Sequence, residues 1–182
     1  MGEPLVLVAP ALLEAETEGL FCALTEACAG TGIRFVIKTH PNKLVEDKAL
    51  TSAVSAMDPG QATIVPAGAD VYDYLAASDA LICPGSWIAF DAMALNVMPL
   101  VFQDAATFAG TSLVGYEHGL FIVRDAADVR AALDDLFGPS VITAEKRGHW
   151  PGILTDVFGD LSTPLVSQLS DGIKRLGVAT ES

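Results

Sequence analysis

Hydrophobic runs and amphipathic stretches alternate along the whole chain. Short runs of apolar and β-branched residues, bounded by glycine, proline or polar residues, predict buried strands. Stretches in which apolar residues recur every three or four positions predict helices. The predicted strands cover 5–9, 33–38, 63–65, 81–82, 99–102 and 120–123, and the predicted helices cover 14–29, 43–57, 70–78, 86–95, 128–136 and 164–176.

This alternation predicts the fold class. Strands that recur roughly every 20 to 30 residues with helices between them form right-handed βαβ units and lie parallel in one sheet. We therefore expect an α/β protein with a doubly wound, mostly parallel sheet of about six strands and helices on both faces. The composition agrees, because 51% hydrophobic and 18% charged residues suit strands that are covered on both faces.

The length of 182 residues allows one α/β domain with a sizeable core, or such a domain and a tail. We expect the domain to span 1–138. Residues 139–182 are expected to form a C-terminal loop and helix that pack on the same domain or on a missing partner domain. The segment His149-Trp150-Pro151-Gly152 is interpreted as a turn, either where this tail crosses onto another surface or in a simple solvent loop.

The charge balance disfavours two classes of partner. With a net charge of -13, the chain lacks the excess of Lys and Arg that binds nucleic acid, and an anionic membrane surface is disfavoured for the same reason. A small anionic ligand stays compatible with this charge, because a helix N-terminus and one or two local cations can bind it against the global field.

Apolar runs and cysteines indicate the compartment. No apolar run reaches the roughly 18 residues that span a bilayer, and the first ten residues lack the basic region of a signal peptide. Cys22, Cys28 and Cys83 have no metal-ligand spacing, so all three are interpreted as small core residues in a reducing compartment. We expect no transmembrane segment and a cytoplasmic location, with peripheral attachment at the inner membrane face through a missing part as an alternative.

The clearest chemical signal lies in 80–102. This segment reads as a buried strand, a tight Pro84-Gly85-Ser86 turn, a short helix and a second buried strand. A helix that begins at the carboxyl end of a parallel strand is a ready anion site, most often for phosphate. Ser86 lies where that helix is predicted to begin, and the alternative is that its hydroxyl only caps the helix.

Asp91 lies five residues beyond Ser86 in the same predicted helix. This spacing places it about 140° round the helix from Ser86. The two side chains therefore cannot hold one atom together, but they could hold different parts of an extended ligand. A carboxylate in an apolar helix is costly unless it is paired or faces a ligand, and a ribose diol is one partner that satisfies it.

Two further segments place polar groups at the same expected edge of the sheet. Lys38 and His40 follow the second strand and could contact phosphate oxygens, although His40 could instead bond only within its own turn. Thr111 and Ser112 lie in a connection of about 16 residues, a length typical of functional or mobile loops, with a solvated loop as the alternative. His149 has no visible partner and is assigned to structure.

Several familiar motifs are missing from the sequence. The turn at Ser86 lacks the second glycine of a nucleophile elbow, and neither a P-loop nor a G-x-G-x-x-G turn occurs. No cluster of His, Cys and carboxylates has zinc spacing. A stand-alone hydrolase, an NTPase and a classical dinucleotide enzyme are therefore disfavoured.

Four segments in order resemble a known arrangement: Lys38-Thr39-His40-Pro41-Asn42, then 70–82, 85–92 and 99–102. The pattern is similar to the C-terminal, donor-binding half of the two-domain GT-B glycosyltransferase fold. The nearest branch contains the CDP-glycerol glycerophosphotransferases and capsule polysaccharide synthesis proteins, with UDP-N-acetylglucosamine 2-epimerases more distant. The resemblance covers about 5–136 and implies that the domain is a Rossmann-like half.

This resemblance also implies roles for individual residues. His40 and Ser86 would contact the donor phosphates, and Asp91 would reach the ribose or glycerol side. The chain has Gly85-Ser86 where the family usually has a Ser-Ser doublet, which removes one hydroxyl. The full set of expected donor-binding residues is Lys38, His40, Gly85, Ser86, Asp91, Thr111 and Ser112, and no catalytic base is identified.

The expected function is that of a donor-binding domain in a transferase that acts in cell-surface polysaccharide synthesis. Its substrate would be a nucleotide-diphosphate-linked sugar or polyol of the CDP or UDP type, with no further cofactor and no metal. Its partner would be an acceptor-binding N-terminal half or a separate subunit. The alternative is a non-catalytic, flavodoxin-like interaction or regulatory domain whose acidic surface meets a basic partner.

Overall fold

The computed structural model describes residues 3–10, 14–39, 48–66, 68–103 and 112–160. The strands are β1 (Leu5–Val8), β2 (Arg34–Lys38), β3 (Ala62–Val65), β4 (Ala80–Pro84), β5 (Met98–Phe102) and β6 (Phe121–Val123). The helices are α1 (Glu14–Cys28), α2 (Lys48–Ala56), α3 (Val71–Ala76), α4 (Ile88–Ala94), α5 (Ala126–Phe137), α6 (Ile142–Gly148) and α7 (Trp150–Phe158). A 3-10 turn, Glu117–Gly119, precedes β6.

The six strands form one sheet in the order β3-β2-β1-β4-β5-β6, and every neighbouring pair is parallel. The predicted fold class is therefore confirmed. Strands β2 and β3 are added on one side of β1, and strands β4, β5 and β6 are added on its other side. This is the Rossmann order and differs from the flavodoxin order 2-1-3-4-5, so the flavodoxin-like topology of the alternative expectation was wrong.

Burial along the strands follows from their places in the sheet. Every residue of β4 and of β5 is buried, whereas the edge strand β3 has two exposed residues. Right-handed crossovers put α1 and α2 on one face and α3 and α4 on the other. The packing agrees, because α1 contacts both α2 and α5, while α4 contacts α7. Helices therefore cover both faces, and the core lies between them and the sheet.

The segment that follows α5 is more regular than the sequence indicates. It forms α6 and α7, and the predicted turn at His149-Trp150-Pro151-Gly152 is instead the start of α7. Proline is tolerated in the first helical turn, where its missing N–H has no helical acceptor. Trp150 and Ile153 lie three residues apart and are both buried, which fixes this helix against the domain. Residues 161–182, with the predicted helix 164–176, lie outside the described residues.

One cysteine differs from its expected position. Cys28 and Cys83 are buried as predicted, but Cys22 is exposed. The buried residues Leu20 and Leu24 of α1 recur every four positions with Cys28, whereas Cys22 lies two positions from each leucine and so faces solvent. Within the ranges given above, no helix combines the length and the hydropathy that crossing a membrane requires.

Candidate functional site

The carboxyl ends of β1 and β4 lie side by side at the topological switch point of the sheet, where the strand order reverses. The two strands are neighbours, with Val8 paired to Ile82. Segments leaving such a pair diverge to opposite faces and leave a crevice, and open α/β folds bind their ligands there. This crevice is the candidate site.

The Gly85-Ser86 turn follows β4 directly and lies at this crevice. Ser86 is exposed, and its carbonyl accepts a hydrogen bond from Ala89 N–H at 3.1 Å. Helix α4 begins two residues later at Ile88, and Trp87 occupies the cap position without a capping side chain. The Ser86 hydroxyl therefore does not serve as the cap that the sequence allowed, and it stays exposed to a ligand.

The late start of α4 changes the electrostatic expectation. The helix has only seven residues, so its dipole is short. The Ser86 N–H also bonds the Cys83 thiol, an interaction that lowers the Cys83 pKa, although burial dominates and raises it to about 12. The polar group that the turn offers to an anion is mainly the hydroxyl of the exposed Ser86.

Lys38 lies at the same edge, at the end of β2. Because β1 alone separates β2 from β4, the two strands are about 10 Å apart at this level. The Lys38 side chain is only 5% exposed, and its Nζ donates to the Thr39 carbonyl oxygen at 3.0 Å. The predicted cation is thus at the expected edge, but Lys38 is buried and its ammonium group bonds the backbone of the next residue.

The other predicted phosphate contacts are placed only in part. His40 and Thr111 lie outside the described residues, so their roles stay predictions. Ser112 is exposed, and the neighbouring Leu113 is buried and anchors the segment. This segment belongs to the connection that leaves β5, whose end pairs with the end of β4 through Phe102 and Pro84.

Asp91 has a partner that sequence reasoning missed. The Tyr72 hydroxyl of α3 donates to Asp91 Oδ2 of α4 at 3.3 Å. Partial burial raises the pKa of Asp91, and the hydrogen bond from Tyr72 opposes this. The nearby carboxylate of Asp91, in turn, is the main cause of the raised pKa of Tyr72. A signal was present in the sequence, because Tyr72 lies in the first turn of a helix that follows a strand directly and so begins at the binding edge.

Two aromatic side chains, one at the start of α3 and one just before α4, are exposed. Tyr72 is 51% exposed and Trp87 is 52% exposed. Trp87 and Asp91 lie four positions apart and so share one face of α4. The Trp87 ring packs edge-on against Phe90 and Phe158, with centroid distances of 5.1 and 6.4 Å, which restrain it. The Trp87 ring is therefore held between Phe90 and α7, while the Tyr72 hydroxyl meets Asp91.

The histidines form a separate feature. His149 packs edge-to-face against His118 with ring centroids 4.7 Å apart, so it has a partner that the sequence did not reveal. Both side chains are exposed. No group of three or more His, Cys, Asp or Glu side chains in the described part of the chain is arranged to hold a metal ion.

Comparison with known proteins gives structural matches and no sequence matches. No family model and no curated protein matches the chain. The calicheamicin glycosyltransferase CalG4 matches over 98% of this chain and 43% of its own, with a TM-score of 0.64 and 20% identity. Anabaena Alr3699/HepE, solved in complex with UDP and glucose, matches over 95% and 49%, with a TM-score of 0.66 and 10% identity.

The wall teichoic acid polymerase TagF, solved after a soak with CDPG, matches over 97% of this chain and 44% of its own, with a TM-score of 0.51 and 14% identity. UDP-N-acetylglucosamine 2-epimerases are also among the matching structures. The chain spans less than half the length of each of these proteins. Identities this low establish the fold alone: this chain has the Rossmann-like fold of one half of the GT-B glycosyltransferases and of these epimerases.

Proposed function

We propose that this chain is the donor-binding domain of a transferase that uses a nucleotide-diphosphate-linked sugar or polyol. The observation that carries the proposal is the position of the exposed Ser86 turn at the crevice between β1 and β4. Support comes from the fold, because a protein that shares it, HepE, was solved with UDP and glucose. The chain's half-length relative to its structural matches fits a partner half or subunit that binds the acceptor.

The turn after β4 would hold the diphosphate. The Ser86 hydroxyl donates to a phosphate oxygen, and Gly85, which has no side chain, lets the ligand approach the backbone closely. The sequence adds His40 as a second phosphate contact. Neutralising the diphosphate as it leaves stabilises the charge that develops during transfer, and this scheme uses no metal.

The opposite side of the ligand would reach Asp91. Because Ser86 lies in the turn before α4 and Asp91 lies in the first turns of that helix, the two side chains would contact different parts of an extended donor. The phosphates lie at the turn, and hydroxyl groups of the ribose or the transferred polyol lie at the carboxylate. We place the reaction in cell-surface polysaccharide synthesis, as the sequence resemblance implies.

Calorimetric titration with UDP, CDP, a UDP-sugar and CDP-glycerol tests the proposal. Wild-type protein should bind at least one of them, and Ser86→Ala should weaken binding by about tenfold, as expected for a hydrogen bond to a charged group. Ser55→Ala is the matched control, because Ser55 is exposed near the end of α2, at the opposite edge of the sheet.

Two results would contradict the proposal. The first is a wild-type protein that binds none of the four ligands at millimolar concentration. The second is a Ser86→Ala variant that binds as tightly as Ser55→Ala, which would remove the turn from the site. His40→Ala tests the residue that only the sequence assigns, and loss of binding in this variant would extend the phosphate site to the loop after β2.

A further inference from the structure

We propose that a second ligand site lies at the amino edge of the sheet and that it binds a small zwitterion, an apolar α-amino acid. The site is a cavity of about 340 Å³ that is lined by residues at the ends of α3, α4 and α5 and by Arg147 of α6. This volume is at the lower end of the range typical of small-molecule sites.

The cavity is separate from the Ser86 turn. Asp79, which lines the cavity, comes directly before β4, and Ser86 lies two residues beyond the other end of that strand. A strand rises about 3.3 Å per residue, so the two residues lie roughly 15 to 20 Å apart on opposite edges of the sheet. A molecule in the cavity is therefore too far away to touch a ligand held at Ser86.

Arg147 gives the cavity a cation whose donors are unused. Its Nε is buried and has no hydrogen-bond partner. The guanidinium lies over the ring of the buried Trp150, 5.6 Å from the ring centroid, which restrains it without using any of its N–H groups. Within the described ranges, no hydrogen bond or ion pair engages this side chain. A carboxylate of a ligand can therefore accept two parallel hydrogen bonds from the guanidinium fork.

Asp79 supplies the opposite charge in the same cavity. Its Oδ2 accepts a hydrogen bond from the Leu5 N–H at 2.9 Å, which orients the carboxylate and leaves Oδ1 for another donor. In the part of the chain that the structure describes, Asp79 and Arg147 form no ion pair with each other. The cavity thus holds two opposite charges apart, and a ligand that carries both can satisfy them together.

The helix ends around the cavity distinguish a zwitterion from a simple anion. Helices α3, α4 and α5 all end here, and the C-terminal end of a helix carries partial negative charge. Together with Asp79 and the net charge of -13, these ends oppose an anion that has no positive group of its own. An ammonium group is attracted by the same carboxylate and by the carbonyl groups that helix ends leave free. A simple cation is opposed by Arg147 instead.

Apolar side chains form the remaining wall of the cavity. Leu95, Val97 and Phe137 line it, and Leu95 is 44% exposed. An aliphatic or aromatic side chain of a ligand would bury apolar surface against them. The nearby Ser78 hydroxyl donates to the Tyr74 carbonyl oxygen at 2.7 Å, so it offers the ligand an acceptor. The combination of two charges, acceptors and an apolar wall matches an apolar α-amino acid.

Calorimetric titration of the wild-type chain tests the chemistry of the ligand. The probes are alanine, valine, leucine and phenylalanine, each up to 10 mM. Two analogues accompany the amino acid that binds most tightly: the same molecule without its ammonium group and the same molecule without its carboxylate. At least one amino acid should bind, and each analogue should bind at least about tenfold more weakly, because it leaves one charge of the cavity without a partner.

Two variants test the location of the site. Arg147→Lys keeps a positive charge that can still lie over Trp150 but loses the guanidinium fork. Asp79→Asn removes the negative charge and keeps an oxygen that accepts from the Leu5 N–H. Each variant should weaken binding of the amino acid by about tenfold. Circular dichroism melts show whether each variant keeps the fold, and the titrations of wild-type protein with the two analogues need no variant.

The controls separate this site from the proposed donor site. Arg124→Lys makes the same chemical change at an exposed arginine that follows β6 at the opposite edge of the sheet, and it should bind the amino acid as wild type does. Ser86→Ala should also leave amino-acid binding unchanged. Nucleotide titrations report only on the donor site, so the two sites can fail independently.

Three results would overturn the inference. The first is a wild-type protein that binds none of the four amino acids at 10 mM. The second is an analogue with a single charge that binds as tightly as the amino acid, which would reject a zwitterion. The third is undiminished binding in Arg147→Lys and Asp79→Asn, which would place the amino acid outside this cavity.

Discussion

Replacing the buried Trp150 with phenylalanine should destabilise the domain strongly, although the change keeps an aromatic ring. Trp150 is 5% exposed, and its indole N–H donates to the Gly119 carbonyl oxygen at 2.7 Å. The bond joins α7 to the turn before β6, across 31 residues of sequence. Its loss leaves a buried carbonyl without this donor.

The expected cost follows from two contributions. A buried acceptor that loses its partner costs about 1–3 kcal/mol. The smaller ring leaves a gap beside Ile153, which adds about 1 kcal/mol. The total of about 2–4 kcal/mol is a large part of the 5–15 kcal/mol that typically stabilises a domain, and it should lower the melting temperature by on the order of 10 °C.

Urea denaturation followed by far-UV circular dichroism measures this effect without depending on tryptophan fluorescence. The control is Trp87→Phe, the same chemical change at the second tryptophan, which is half exposed and should cost less than about 1 kcal/mol. An equal loss of stability in Trp150→Phe and Trp87→Phe would show that the hydrogen bond from Trp150 to Gly119 does not hold α7 in place. Fully retained stability would mean that α7 contributes little to the fold.

Two further predictions use glycines and cysteines. A Cβ on Gly119 would overlap Ile153 Cδ1 in the core, so Gly119→Ala should lower the free energy of unfolding by about 1–3 kcal/mol. The control Gly152→Ala lies on α7 with open space around it and should raise the free energy of unfolding by up to about 1 kcal/mol. Urea titrations in which both variants change the free energy of unfolding equally would contradict this prediction. Burial raises the pKa of Cys28 to about 11 and that of Cys83 to about 12, from the ordinary 9.0, so a thiol reagent at pH 8 should modify Cys22 quickly and the other two only on unfolding. Because the folded thiols keep protons that the unfolded thiols lose, the free energy of unfolding should be constant below about pH 9 and should fall as the pH rises toward 11. Rapid modification of all three thiols in the folded protein would contradict the burial of Cys28 and Cys83.

Local pattern was enough to predict the sheet. Each strand is a short apolar run bounded by turn residues, and the helix between successive strands allows only right-handed, parallel crossovers. The runs that became β4 and β5 are fully buried inside the sheet, with a neighbouring strand on each side. The edge occupied by Gly85 and Ser86 followed from the same argument, since both come directly after a strand.

Local pattern was not enough for α7 or for the cap of α4. Pro151 and Gly152 are turn formers by themselves, and only the burial of Trp150 and Ile153 against the domain makes their segment helical. Ser86 has the chemistry of a capping residue, but the chain enters α4 two residues later. In both places packing between distant segments outweighed the preference of the local sequence.

The amino-acid sequence by itself determined the fold class and placed Gly85 and Ser86 at the carboxyl edge of the sheet, because both follow from periodicity and chain connectivity. Tertiary structure alone decided the partner of Asp91. Tyr72 is 19 residues away on another helix, and its hydroxyl reaches the carboxylate only because α3 and α4 both start at one edge and pack on one face. Contacts between elements depend on how those elements are arranged in space, and no periodicity along the chain encodes that arrangement.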